Sequence, residues 1–381
     1  MTAPGEVMAR ALDLAREVQG HTSPNPAVGA VLVKDGRVVG EGRYEGSGTP
    51  HAEVAAIAAA GAAAHGATMY VTLEPCCHRG RTPPCTDAIL AAGVAEVRFA
   101  HIDPDSRVAG RGQAQLEAAG VRVLVGEGAN EARRINEAYL KHRATGRPFV
   151  IAKFAASLDG KIAATSGDSR WVSGPETLAW SQGLRRRIDA IAVGVSTVLI
   201  DNPQLTARVG DPSDGGETRL AERQPLRVVL DSHGRTPRDA KVLGCAGTGG
   251  RALIATTDMS PEQWRGEMAA AGVNVAVLPA DEASRVSLPA LLDLLGRSDV
   301  LTLLVEGGGV LHGSFFDAGL VDKVHAVVAP MIIGGRGAPV AVAGQGAARM
   351  ADALRLRETM VEQLGDDLLV TGYTSDRMST S

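Results

Sequence analysis

The sequence predicts an α/β protein of two domains, and three observations carry that. At 381 residues with 45 % hydrophobic content, the chain is long enough for two ordinary cores. Short β-branched runs alternate with Ala- and Leu-rich helical stretches in both halves. Between the halves, Thr145-Gly-Arg-Pro148 breaks the alternation, so the domains are expected at 1–145 and 146–381. Aromatic residues make up only 3 %, so aliphatic and alanine packing must fill both cores.

Residues 6–19 place Val7, Ala11, Leu14 and Val18 at helical spacing, and Gly20 ends that helix. Ser23-Pro-Asn-Pro26 is a rigid turn. The apolar runs from Val28 and from Val38 flank Asp35-Gly36, which predicts a hairpin. His51 opens an Ala-rich helix from Ala52 to about Ala64, and residues 67–73 read as a buried strand running into Glu74-Pro75. Pro83-Pro84 precede a helix that begins at Cys85. A strand at 96–100, a loop at 103–112, a helix to Ala119, a strand at 121–125 and one amphipathic helix at 130–143 complete this domain. In the second domain, strands are expected at 149–154, 189–194, 226–231, 251–256, 273–278 and 301–306. Helices are expected at 261–271, 288–295 and 310–318. Residues 210–224 read as a polar surface loop and 245–250 as another loose stretch. Residues 324–333 and 363–373 read as long strands that add an antiparallel part, and 375–381 as a disordered tail. No internal repeat relates the halves.

Composition excludes several function classes. The net charge is −4 and no long basic run occurs, which argues against a surface that tracks nucleic-acid phosphates. Arg185-Arg186-Arg187 is the nearest approach and reads as a solvated helix face. Scarce aromatics argue against a stacking platform for single strands. Of four cysteines, Cys76, Cys77 and Cys85 crowd one segment and Cys245 stands apart, which suits a metal better than a disulfide framework. Neither a secretory signal nor an apolar run of membrane-spanning length is evident, so no membrane partner and a cytoplasmic location are expected.

The first chemical constellation is His51-Ala52-Glu53 with the segment from Glu74 to Cys85. Zn²⁺ takes imidazole and thiolate, and a catalytic site keeps three protein ligands and one open position. His51, Cys76 and Cys85 supply such a set, and Glu53 stands near enough to shuttle a proton. Zinc deaminases use H-x-E followed by P-C-x-x-C. Here the spacing between Cys76 and Cys85 is longer. Cys85 at a helix N-terminus is expected to be a ready thiolate. Cys77 is taken as a non-ligand, because Cys76 follows Pro75 as the motif requires. The residues alone also allow a closed structural zinc site completed by His78, or buried thiols without metal.

The second constellation lies at expected strand ends. A buried strand runs into Gly307-Gly-Gly309 and then a helix, an arrangement that binds anions through free N–H groups and the helix dipole, or else is a tight turn. Gly307, Gly309 and Gly313 give a spacing one residue longer than the dinucleotide fingerprint, so an ordinary Rossmann domain is not predicted. Asp159-Gly-Lys161, Ser169-Arg-Trp171, Thr197, Asp201-Asn-Pro203 and Asp231-Ser232 add polar groups. Together they describe a site beyond the carboxyl ends of strands.

As a set these motifs resemble the bifunctional riboflavin-biosynthesis deaminase–reductase family, RibD, along nearly the whole chain. The first-half marks are Ser23-Pro-Asn-Pro-Ala-Val-Gly29, His51-Ala-Glu53, Thr72-Leu-Glu-Pro-Cys76, Gly80-Arg-Thr-Pro-Pro-Cys85 and the Asp103–Gly112 loop. The second-half marks are Ala156-Ser-Leu-Asp-Gly-Lys161, Ser169-Arg-Trp171, Asp201-Asn-Pro203, Asp231-Ser232 and Glu306-Gly-Gly-Gly309. The long cysteine spacer is this family's own form. The resemblance implies a cytidine-deaminase-like three-layer domain followed by a dihydrofolate-reductase-like domain. It implies hydrolytic deamination of 2,5-diamino-6-ribosylamino-4(3H)-pyrimidinone 5′-phosphate, then reduction of the ribosyl chain with NADPH. It makes His51, Cys76 and Cys85 the ligands of one Zn²⁺ and Glu53 the proton shuttle. It places NADP near Ala155, Trp171, Thr197, Asp201, Ser232 and the run Gly308, Gly309, Val310, Leu311, His312, Gly313 and Ser314. Substrate is placed near Ser169, Arg185, Leu205, Arg208 and Glu306, where the arginines suit a sugar phosphate. Members of the reductase fold commonly dimerise, so a homo-oligomer is expected.

Two other classes compete. A nucleic-acid base deaminase is disfavoured by the charge, the scarce aromatics and the long spacer. A non-catalytic zinc-stabilised binding module would tolerate Glu53→Gln without loss of function. Cys77 and His101 carry no role that the motifs assign.

Overall fold

The structure, a computed structural model, describes residues 4–80, 82–210, 219–244 and 251–375. They divide into two units, Met1–Gly146 and Arg147–Ser381. In the first unit the elements run α1 (Pro4–Glu17), β1 (Gly29–Lys34), β2 (Arg37–Arg43), α2 (Ala52–Ala60), a 3₁₀ turn (Gly61–Ala64), β3 (Thr68–Val71) and α3 (Cys85–Ala91). They continue with β4 (Glu96–Phe99), α4 (Arg111–Ala118), β5 (Arg122–Val125), α5 (Ala129–Ile135) and α6 (Glu137–Thr145). The sheet order is β2-β1-β3-β4-β5. The first two pairings are antiparallel and the last two parallel.

Alternation along the strands makes this unit three layers. Ala30 and Leu32 of β1 join a core with Ala52 and Ala56 of α2, Ile89 of α3 and Leu116 of α4. Val31, one residue out of phase, joins the opposite core with Met8 and Leu12 of α1 and Tyr70 of β3. Leu12, Leu32, Ile89 and Leu116 are at most 2 % exposed; each such side chain stabilises by about 1.5–3 kcal/mol. The turn between β1 and β2 is Asp35-Gly36, both with positive φ, as a two-residue hairpin needs.

Two expectations are corrected here. The single helix at 130–143 is two helices, broken at Asn136. That side chain is turned to Ala27 instead, accepting its N–H at 2.8 Å and donating to its carbonyl at 2.9 Å. The helix from Ala52 ends at Ala60, because Gly61 takes a φ of +55° and the chain tightens into the 3₁₀ turn.

In the second unit the elements begin with β6 (Phe149–Ser157), α7 (Pro175–Arg187), β7 (Ala190–Gly194), α8 (Val195–Asp201), β8 (Arg208–Val209), β9 (Arg219–Leu220), β10 (Leu226–Leu230) and β11 (Ala252–Thr256). Then come α9 (Glu262–Ala270), β12 (Asn274–Val277), α10 (Leu288–Arg297), β13 (Thr302–Val305), α11 (Gly309–Asp317), β14 (Lys323–Ala329), β15 (Arg357–Leu364) and β16 (Asp367–Tyr373). Nine strands form one sheet in the order β12-β11-β10-β7-β13-β6-β14-β16-β15. All pairings are parallel up to β14, and the β14-β16 and β16-β15 pairings are antiparallel. The bounds of the two expected late strands are corrected: β14 stops at Ala329, and 363–373 holds the end of β15, a turn at Gly365 and the strand β16. Helix α8 was not expected as an element, and of α7 only the helix face at Arg185-Arg186-Arg187 was. Within the 210–224 stretch, expected as loop, β9 pairs with β8 in a small ladder, while residues 211–218 lie outside the described residues. The same holds for 245–250 with Cys245, and for the tail after 375. No helix among the described residues is long and apolar enough to cross a membrane.

Candidate functional site

In the first unit the site is built where α2 and α3 begin, facing the end of β3. Gly42 of β2 lets α2 start there: a Cβ at this position would lie 2.3 Å from the carbonyl oxygen of Ala52. His51 caps α2 with extended backbone, so its ring leaves the helix axis. Its Nδ1 lies 3.2 Å from the Cys85 Sγ and 3.5 Å from the Cys76 Sγ. Candidate donor atoms of His51, Cys76 and Cys85 all lie within 4.8 Å of one another. Nε2 of the same ring faces the Thr82 hydroxyl at 3.4 Å, and Tyr44 packs edge-on against the ring. Both contacts fix the ring orientation that leaves Nδ1 free for a metal.

This donor set fits Zn²⁺, with one imidazole, two sulfurs and, among the described residues, no fourth protein ligand. His78, which a closed structural site would need, is not in the cluster. The Cys77 sulfur turns to the carbonyl of Arg107. The two ligand sulfurs also interact: the Cys85 thiol donates to Cys76, and this bond, burial and the neighbouring Glu53 raise the Cys85 pKa, while the same bond with His51 and the Cys85 N–H lowers that of Cys76. A bound zinc would hold both as thiolates.

Glu53 is 4 % exposed, and its carboxyl is raised to about 7 by burial first and by the Cys76 charge second. A carboxyl in that range can both take and give a proton near neutral pH. Sequence reasoning gave no role to Glu74, which lies three residues beyond the end of β3. Its carboxylate, 3 % exposed, accepts N–H groups of Asp103, Gly110 and Gln113, and so folds the 103–112 loop against the cysteine segment. Asp103 is pushed up to about 6 by burial and accepts the Tyr139 hydroxyl at 3.0 Å.

In the second unit a cavity of about 530 Å³ opens beyond the carboxyl ends of β10, β7 and β13. It is lined by ten expected residues: Ser169, Thr197, Asp201, Ser232, Glu306, Gly308, Gly309, Val310, Leu311 and Ser314. The glycine turn reflects packing as well as anion binding. A Cβ on Gly309 would lie 2.1 Å from the Val340 carbonyl oxygen, whereas Gly308 faces open space near Thr197. His312 and Gly313 do not line the cavity. Gly313 packs against the backbone of Ala343, and both ring nitrogens of His312 meet backbone carbonyls, of Ala341 and Val305. Ala155 on β6 and Trp171, which is 68 % exposed, also lie outside the lining.

Arg185, Leu205 and Arg208 gather around Thr206. Arg185 donates to its carbonyl and Arg208 to its hydroxyl, both at 3.4 Å. Arg185 also reaches Glu306 at 2.7 Å, and Lys153 meets the other carboxylate oxygen of Glu306 at 3.1 Å. Burial alone would raise the Glu306 pKa, but Arg185 and Lys153 together hold it at about 2. The sequence reading missed Lys153, a charged residue inside the apolar run of β6. It also missed Arg235 and Arg285, which line the cavity. For Arg235 the available signal was its place four residues after Asp231 at a strand end.

The RibD C-terminal domain family matches residues 148–370. The chain belongs to the RibD family. The cytidine and deoxycytidylate deaminase zinc-binding region matches residues 1–101 of this RibD chain. Riboflavin biosynthesis protein RibD of Bacillus amyloliquefaciens is 40 % identical over 371 residues, which cover 97 % of this chain and 96 % of the relative. The Escherichia coli RibD protein is 38 % identical, with 95 % and 96 % covered. Among solved structures, Acinetobacter baumannii RibD superposes with a TM-score of 0.85 at 36 % identity, covering 98 % of this chain and 99 % of that one. A Thermotoga maritima diaminohydroxyphosphoribosylaminopyrimidine deaminase/5-amino-6-(5-phosphoribosylamino)uracil reductase superposes at 0.82 with 32 % identity, covering 97 % and 98 %. The fold is therefore a cytidine-deaminase-like domain joined to a RibD reductase domain.

Proposed function

We infer that this chain carries out two successive steps of riboflavin biosynthesis, zinc-dependent deamination followed by NADPH-dependent reduction. The substrate of the first is 2,5-diamino-6-ribosylamino-4(3H)-pyrimidinone 5′-phosphate, and the product of the second is the ribitylamino uracil phosphate. The observation that carries the reading is the convergence of His51, Cys76 and Cys85 beside the buried Glu53, in a chain that shares the RibD pattern over nearly its full length.

Residues 1–145 are assigned the deaminase and 146–381 the reductase. His51, Cys76 and Cys85 would hold zinc, which supplies Lewis acidity that brings a water's pKa toward neutrality. Glu53 takes the proton of the attacking water on its carboxylate and delivers it to the departing ammonia. In the reductase, Thr197, Asp201, Ser232, Gly308, Gly309, Val310, Leu311 and Ser314 bind the dinucleotide, which supplies the hydride, while His312 and Gly313 keep their family assignment through the packing of the same helix start. Ala155 and Trp171 keep their family assignment as cofactor neighbours. Glu306, held by Lys153 and Arg185, orients the sugar chain with Ser169 and Leu205, and Arg208 takes the phosphate.

A cytoplasmic location is supported by the need to keep the site thiols reduced. A homo-oligomer is supported by Met360 and Val361, exposed on the edge strand β15. A monomer mass in sedimentation at working concentration would remove that last assignment.

The function is tested with purified protein, its bound zinc quantified, supplied with the diaminopyrimidinone ribosyl phosphate. Ammonia release followed by NADPH oxidation is expected. Glu53→Gln should retain zinc and lose ammonia release by about 10²-fold or more, as removal of a positioned acid–base group does. Absence of ammonia from zinc-loaded wild type would sink the deaminase reading.

A further inference from the structure

Leu205 and Arg208 stand on a segment that the main sheet of the second unit does not hold. Among the described residues, β8 pairs with β9 alone, through Arg208↔Leu220 and Val209↔Arg219, and neither strand joins the nine-stranded sheet. A ladder of two short strands is too weak to fix a chain by itself. Yet Leu205, Thr206 and Ala207 are at most 5 % exposed, so their backbone polar groups need partners.

Two glutamine side chains supply them. Gln224 Oε1 accepts the Ala207 N–H at 2.9 Å, and its Nε2 donates to the carbonyls of Ala207 and Ala221, both at 2.8 Å. A primary amide accepts and donates as a peptide group does, so Gln224 stands in for a missing strand neighbour. Gln182 Oε1 accepts the next amide, the Arg208 N–H, at 2.9 Å.

Both glutamines are anchored to the main sheet. Gln182 lies on α7, whose start is tied to β16: the Gly174 N–H and the Thr177 hydroxyl donate to one oxygen of the buried Asp367, at 2.8 and 2.7 Å. The end of α7 is tied to Glu306 through Arg185 at 2.7 Å. Gln224 stands two residues before β10 and follows Arg223, which pairs with Asp189. The Arg208 guanidinium, by contrast, donates to Thr206 and Gln204 of its own segment. Its direction therefore follows that of the backbone which the glutamines hold.

Resting on the reading that Arg208 takes the substrate phosphate, we propose that Gln182 and Gln224 are positioning residues of the reductase, which hold the Arg208 segment where its guanidinium meets the sugar phosphate. Neither glutamine lines the cavity, and both act through Arg208. Two-pronged recognition of a phosphate by a guanidinium depends on placement to within about 1 Å, so a loosened backbone costs binding without removing any charge.

The test uses the full zinc-loaded chain with NADPH and the deaminated ribosylamino uracil, with and without its 5′-phosphate. The quantity read is the ratio of the two kcat/KM values. Wild type should favour the phosphorylated form by about 10- to 100-fold, the range of a charge-assisted hydrogen-bond pair. Gln182→Met and Gln224→Met should each lower that ratio by about 3- to 10-fold, the loss of one ordinary hydrogen bond. The change should lie in KM for the phosphorylated form and not in KM for NADPH. Arg208→Met should lower the ratio at least as far, and adding Gln182→Met to it should lower the ratio no further. A ratio that falls in Arg208→Met but in neither glutamine variant would overturn the proposal and leave the phosphate reading standing. Equal losses for both forms of the substrate, or losses that add in the double variant, would overturn it too. A ratio unchanged in Arg208→Met would remove the phosphate reading, and no NADPH oxidation by wild type would remove the reductase reading, each taking the proposal with it.

Discussion

Glu306 lies between Lys153 and Arg185, and its side chain is only 11 % exposed. Its folded pKa is about 2 against an ordinary 4.5. A depressed carboxyl contributes stability that is complete above the ordinary value and is lost as pH falls from about 4.5 toward 2. The contribution is on the order of 3 kcal/mol at neutral pH. Glu306→Gln should lower the urea midpoint at pH 7, because two cations then face each other unneutralised. It should also flatten the fall in midpoint between pH 5 and pH 3, to be read from denaturation series at both values. A variant as steep as wild type would disprove the assignment. At this scale the sequence was readable where chemistry forces rare residue types together. His51, Cys76, Cys85 and Glu53 are such a case. Lys153 and Glu74 were not readable, because a lone charge in an apolar run and a carboxylate that only accepts backbone N–H groups carry no spacing signature.

Element packing decides whether the metal ligands meet. Strand β2 approaches α2 so closely at Gly42 that a Cβ there would fall 2.3 Å from the Ala52 carbonyl oxygen and 2.5 Å from the Ala56 nitrogen. Both are backbone atoms and cannot turn aside. Gly42→Val should cost about 1–3 kcal/mol of stability through overpacking. It should also lower zinc occupancy, since His51 immediately precedes the displaced turn. Thermal unfolding and metal analysis of the purified variant check this; full zinc content with unchanged Tm would refute it. Elements with buried periodicity, such as α1, β1, β10 and β13, were legible. Strand β15 was not: every residue from Arg357 to Gln363 is exposed, so no alternation of apolar residues marks its start. Helix α8 escaped notice because it is short and follows β7 directly, where strand-like residues continue as Val195, Val198 and Leu199. The 130–143 helix read as continuous because its break depends on a partner, Ala27, 109 positions away.

Across the whole molecule, each unit carries its own sheet, its own cores and its own chemistry, and the two-domain α/β architecture was visible as alternation of element types. The detailed strand order was not, because nothing local in β13 says that it inserts between β7 and β6. The amide clamp between Asn136 and Ala27 has one more consequence. The zinc-region match ends at residue 101, yet Ala132 and Ile135 complete the core behind Val31 and Tyr70, and Asn136 holds the chain beside the first strand. A fragment trimmed to the matched region would retain all its metal ligands while uncovering the part of that sheet face not covered by α1. The matched motif is therefore shorter than the compact unit into which it packs, which runs on to Gly146.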